Sequence, residues 1–141
     1  VVVERLRDRM EQLAAAQRYE EAAATRDRLS ALLGAVRRTE LMHRLVEAGE
    51  VEVSDGEVTW VIHQGRLIDT RAGGQLTAAI PVAPGEPLLP GAAVPRDAAD
   101  ELLVLARHLD RHSTRLQVTS TGPWRFPVDI DTTIEPIRRA A

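Results

Sequence analysis

Four aspartates are the first residues to weigh for chemistry: Asp55, Asp69, Asp129 and Asp131. A metal-dependent nuclease needs several carboxylates converging on Mg²⁺, because that ion takes hard oxygen ligands. Asp55 precedes Gly56, where a turn is sufficient reason for it. Asp129 and Asp131 flank Ile130 and could share a strand face. No motif of a metal site surrounds any of the four. His108 and His112 stand four apart, the spacing of two zinc ligands on one helix face. A zinc peptidase needs Glu after the first histidine, and Leu109 stands there. Polar residues closing the last turn of an amphipathic helix account for both histidines. His43 and His63 are isolated, and Ser30, Ser54, Ser113 and Ser120 lack a nucleophile's neighbours. Gly73-Gly74 lacks the Lys and Ser/Thr of a phosphate loop. No catalytic residue, metal ligand or cofactor is therefore expected in this chain.

The elements that would position these residues fall into two sets. Met10, Leu13 and Ala14 are apolar at helical steps, followed by polar Gln17 and Arg18. Tyr19, Ala22, Ala23, Arg26 and Leu29 then recur with the same period, ending near Leu32 and Leu33. Two amphipathic runs around a short polar link predict an antiparallel helical hairpin. Alanines at 14–16 and 22–24 favour helix and let two helices approach closely. Gly34 is a candidate stop or bend, after which 35–47 reads as helix again. A lone hairpin buries little surface and needs a partner: the rest of the chain, a second copy or another protein.

After Gly49 the period changes. Val51 to Val53 alternates, Asp55-Gly56 signals a turn, and Val58 to His63 is a strand candidate. Gln64-Gly65 reads as a two-residue hairpin turn before Arg66 to Arg71. Residues 81–96 are dense in Pro and Gly and predict a loop. A helix over 98–112 follows, with Asp97 as N-cap and Leu102, Leu103, Leu105, Ala106 and Leu109 on its apolar face. Leu116 to Val118 reads as a short strand, and Trp124 to Val128 as another, confined to an edge by Pro127. Trp60 reads as core, while Trp124 suits core or surface. The fold class is α+β: a helical hairpin, then a small sheet with one packed helix. Expected domains are 1–48 for the hairpin and connecting helix, 49–120 for the α+β part, and 121–141 for a strand or tail.

Composition bounds the function. The 141 residues contain no cysteine, which excludes disulfides and thiolate metal sites and fits a cytoplasmic protein. No apolar run is long enough to span a membrane. All eighteen basic residues are arginine, read as the bias of a GC-rich bacterial genome. The net charge of −3 is not the footprint of a nucleic-acid binder. Residues 1–44 hold nine arginines and seven acids, a local net of +2. Acids such as Glu4, Asp8 and Glu11 interleave there, as on a solvated helix face. Four aromatics make a base-stacking platform unpromising. The first residue is Val1, so the chain is expected to be part of a longer protein.

The pattern from Gln17 to Leu29 resembles the UVR motif, the helical hairpin of the bacterial excision-repair proteins UvrB and UvrC, over residues 4–33. The resemblance rests on Tyr19, Glu20, Ala22, Ala23, Arg26 and Asp27 at the family's spacing; Tyr19 stands where Phe is usual. It implies a docking element with Tyr19, Ala22, Ala23, Arg26, Asp27 and Leu29 as partner-binding residues. The implied partner is a UvrB-type protein or a second copy of the chain. DNA contact is implied only in the context of the full protein. His63 to Ile68 and the helix from Glu101 to Asp110 resemble the start of UvrC's ribonuclease-H-like region, in degenerate form. An actinobacterial fusion of a DnaQ-like exonuclease, a GIY-YIG domain and a UVR-like region is a further resemblance. It makes the parent a DNA nuclease and this part a non-catalytic scaffold of nucleotide excision repair. The alternatives are a DNA-binding module using the arginines of residues 5–44, or a metal-dependent nuclease domain using Asp55 and Asp69.

Overall fold

The structure is a computed structural model that describes residues 2–72 and 86–129. Gly73-Gly74, the first part of the expected loop (81–85), Asp131 and the tail from 130 onward lie outside the described residues. The described residues divide into two compact units, residues 2–38 with Asp129, and residues 39–128.

The first unit is a helical hairpin. Helix α1 (Val2–Ala15) and helix α2 (Tyr19–Glu47) are joined by a three-residue link. Val3 and Leu29 form its small core, with Leu6, Leu32 and Leu33 packed against them. Leu13 and Ala22 are also buried. Val3, Leu6, Met10 and Leu13 follow helical spacing, so α1 presents one apolar stripe. Ala14, which the sequence placed on that stripe, is exposed. The link closes α1 with Arg18 N–H donating to Leu13 O (2.9 Å) and Gln17 N–H to Ala14 O (3.0 Å). These two bonds make a Schellman motif, with Gln17 at φ +58° in the position that favours glycine. Helix α2 runs through Gly34 without interruption, so the glycine is not a stop. A lone glycine costs a helix only about 1 kcal/mol, which the flanking leucines and alanines offset.

The second unit holds a four-stranded antiparallel sheet in the order β3-β2-β1-β4. Its strands are β1 (Glu50–Ser54), β2 (Val58–His63), β3 (Arg66–Ala72) and β4 (Gln117–Ser120). Helix α3 (Arg96–His112) lies between β3 and β4 in the sequence and ends in a 3₁₀ turn, Ser113–Arg115. The core joins Val51, Val53 and Ile62 of the sheet with Ala98, Leu102, Ala106 and Leu109 of α3. The end of α2 enters the same core through Leu41, Leu45 and Val46. The architecture is the α+β class expected from the sequence.

Two local expectations change. Asp97 is not the N-cap of α3; Pro95 holds that position and its carbonyl accepts from Ala98 and Ala99 N–H. Asp97 lies inside the first turn, where a carboxylate complements the helix dipole. Residues 124–128 form no strand; Phe126 and Val128 are buried in the core instead. Val128 N–H donates to Asp110 Oδ1 at 2.6 Å, so a side chain satisfies the group that a sheet ladder was expected to satisfy.

Candidate docking interface

Side chains on α2 fall into two sets. Ala22, Thr25 and Leu29 are three and four residues apart and all buried. Thr25 is the one polar member of this seam; its hydroxyl donates to Glu21 O at 2.8 Å, so it enters at little polar cost. Tyr19, Arg26 and Asp27 are exposed, and Ala23 is half-buried beside them in the helical repeat. The single face that sequence periodicity assigned to Tyr19, Ala22, Ala23, Arg26 and Leu29 is therefore two faces. Ala22 and Leu29 belong to the interior of the hairpin. Tyr19, Ala23, Arg26 and Asp27 lie outside it.

Tyr19 opens α2 and is 66% exposed, one of the few large apolar side chains left in solvent among the described residues. Its neighbours Glu20 and Glu21 place negative charge at the positive end of the helix. Arg18 pairs with Glu21, its Nε donating at 2.6 Å. Arg26 donates to its neighbour Asp27 through Nε (3.1 Å) and Nη2 (2.9 Å). Both side chains of that pair are largely exposed, so it holds the guanidinium in place and adds little stability.

Sequence reasoning did not single out Val3, Leu6 or Thr25. Val3 and Leu6 continue the stripe of Met10 and Leu13 backward by one period, a signal present in the sequence. Thr25 carried no such signal, because a threonine inside a helix usually points to solvent.

Asp55 and Asp69 of the second unit are each engaged by neighbouring groups of the fold. Asp55 caps the β1–β2 turn: its Oδ1 accepts from Glu57 N–H and Val58 N–H, both at 2.9 Å. The N–H groups of Val58 and Glu57 hold its carboxyl below the ordinary carboxylate range. Asp69 accepts from Thr70 N–H (2.8 Å) and from Arg71 Nε (3.0 Å). Asp129 is exposed. Among the described residues no three His, Asp or Glu side chains form a group able to hold a metal ion.

Glu101 and Asp110, which the sequence linked to a nuclease-like region, tie the fold together. Glu101 accepts from Arg66 Nη1 at 3.2 Å and from Leu67 N–H at 3.1 Å, fastening the β2–β3 hairpin to α3. Gly65, at φ +80°, lets that hairpin turn lie against Leu102, Val46 and Leu88. No described helix is long and apolar enough to cross a membrane.

Residues 1–34 match the family model described as the UvrB/uvrC motif. The match covers the whole of α1, the link and the first half of α2, about a quarter of the chain. No curated protein and no solved structure matches the chain. The hairpin with its exposed Tyr19 is thus the part of the chain that is similar to the UVR motif.

Proposed function

We propose that the chain is a non-catalytic docking and scaffold part of a UvrC-related DNA-repair protein, acting in the cytoplasm in nucleotide excision repair. One observation carries this reading: within the matched motif, Tyr19 stands in solvent while Ala22 and Leu29 close the hairpin. A hairpin that has satisfied its own seam and still exposes an aromatic has a surface to offer. Tyr19 is the anchor, Ala23 lets a second helix approach closely, and Arg26 with Asp27 lies at the rim and sets orientation. Ala22 and Leu29 contribute by keeping the two helices in register. The occupant is the corresponding hairpin of a UvrB-type protein, since like hairpins bury like stripes. The parent protein would be a nuclease, with the catalytic groups outside this chain. Resemblance of residues 63–68 and 101–110 to a degenerate ribonuclease-H-like region supports a positioning role for the second unit.

Calorimetric titration of the full chain with the C-terminal hairpin of a UvrB tests the proposal, with light-scattering mass of the chain alone beside it. Micromolar or tighter binding by a monomeric chain, weakened about thirtyfold in Tyr19→Ala, is the expected result. A dimeric chain that does not bind would assign the same face to a second copy. A monomeric chain that does not bind would overturn the reading.

A further inference from the structure

The last two turns of α3 carry a pair of imidazoles that docking through the first unit leaves unused. His108 and His112 are one helical turn apart, and their ring centroids are 4.6 Å apart at a tilt of 49°. His108 is exposed and His112 half-buried. Trp60 of β2 meets His108 edge-on, with centroids 5.6 Å apart. Neither imidazole has a hydrogen bond or ion pair among the described residues.

Ring spacing is the quantity that decides what this pair can do. With metal–nitrogen distances of about 2.0–2.1 Å, two imidazoles sharing one ion stand with centroids about 4.5 Å apart at a right angle and about 5.2 Å apart at a tetrahedral angle. The observed 4.6 Å falls in that span. The spacing of the two rings is therefore compatible with one shared ion. Imidazole nitrogen suits Zn²⁺, Ni²⁺ and Cu²⁺, whereas Mg²⁺ and Ca²⁺ prefer oxygen.

We propose that His108 and His112 form a surface site for one divalent transition-metal ion, chelated by the two imidazoles on α3. With two protein nitrogens, the remaining coordination positions stay open to water or to a donor from another molecule. The site is open, in contrast to the closed four-ligand sites that hold structural zinc. Affinity follows the general order for nitrogen ligands, with Cu²⁺ above Ni²⁺ and Zn²⁺. The proposal is independent of the docking reading, because it involves no residue of the hairpin.

The test is calorimetric titration of the full chain with Zn²⁺, Ni²⁺ and Cu²⁺, with Mg²⁺ as control. A Trp124→Phe variant adds a local readout: bound Cu²⁺ should quench the fluorescence of Trp60, whose ring touches His108. One ion per chain is expected, weakened about tenfold or more in either His108→Ala or His112→Ala. His63→Ala should leave binding unchanged. Circular dichroism identifies any variant that fails to fold, and His112→Gln, which keeps a polar side chain of similar reach, then replaces it. Absence of one-to-one binding, binding that survives loss of either histidine, or equal response to Mg²⁺ would each overturn the assignment.

Discussion

Replacing Tyr19 and Leu29 separately by alanine should have opposite consequences, and the structure sets both magnitudes. Leu29 is 8% exposed in a seam with Val3, Leu6, Leu32 and Leu33. Truncating a buried leucine costs about 2–5 kcal/mol, depending on how well the site collapses. Two helices with half-buried neighbours can close in readily, so the lower end, about 2 kcal/mol, is expected. Tyr19 is 66% exposed. Its removal should change stability by no more than about 0.5 kcal/mol, as for other surface positions. Covering its exposed surface, roughly 130 Å² of an aromatic's 150–250 Å², is worth about 3 kcal/mol at 25 cal/mol per Å². Part of that is lost to ordering the ring, leaving about 2 kcal/mol or a thirtyfold change in affinity. Urea unfolding followed by circular dichroism reads the first quantity, and titration against a UvrB-type hairpin reads the second. Leu29→Ala should lower the unfolding midpoint of the hairpin, and Tyr19→Ala should spare it while weakening binding about thirtyfold. If Tyr19→Ala destabilises the hairpin as much as Leu29→Ala, the ring is packed and the separation of seam from face is wrong.

Three further outcomes follow from the backbone and the turns. Gly34→Ala should stabilise α2 by about 1 kcal/mol in thermal unfolding, since the added methyl would meet only Arg38 Nη1 at 3.5 Å. Gly65→Ala should do the reverse: its Cβ would lie 2.6 Å from Leu102 Cδ1 at φ +80°, and overpacking plus backbone strain together cost about 2–4 kcal/mol. Asp55 has its carboxyl held below its ordinary value in the folded chain by the Val58 and Glu57 N–H groups. The unfolded chain therefore binds this proton first as pH falls. The stability contributed by the ionised carboxylate is present above the unfolded value and is lost as pH drops through the lower, folded one. Acid titration of the unfolding midpoint should show a smaller loss over that window in Asp55→Ala than in the parent.

The sequence revealed its elements more readily than their faces. The two-residue turn at Gln64-Gly65 was legible because two positive φ values in a row leave a strong residue signal. The apolar stripe of α3 was legible because Leu102, Ala106 and Leu109 recur at helical spacing. The split between Ala22 and Tyr19 was not, because positions three apart in a helix lie about 60° apart, and only the partner helix decides which side is covered. Gly34 misled for a different reason: the penalty for glycine inside a helix is small beside the packing that flanks it. The region 124–128 looked like a strand from its side chains, while the hydrogen bond that settles Val128 comes from Asp110, eighteen residues away. Contacts of that range have no local signature.

Charge around the exposed ring bears on what it meets. A nucleic-acid surface presents phosphate, and binding to it is driven by release of counterions from neutralised charges. Tyr19 is followed directly by Glu20 and Glu21. Arg18, the nearest cation, is already paired with Glu21, and Arg26 with Asp27. The face that offers the aromatic thus carries carboxylates next to it, and two of its arginines are engaged. Phosphates approaching Tyr19 would meet like charge, whereas an apolar, neutral or basic helix face would not. The arginines elsewhere in residues 5–44 are interleaved with acids, so no long cationic run compensates. If Tyr19 docks as proposed, the charges on the motif itself favour another protein over DNA as its partner.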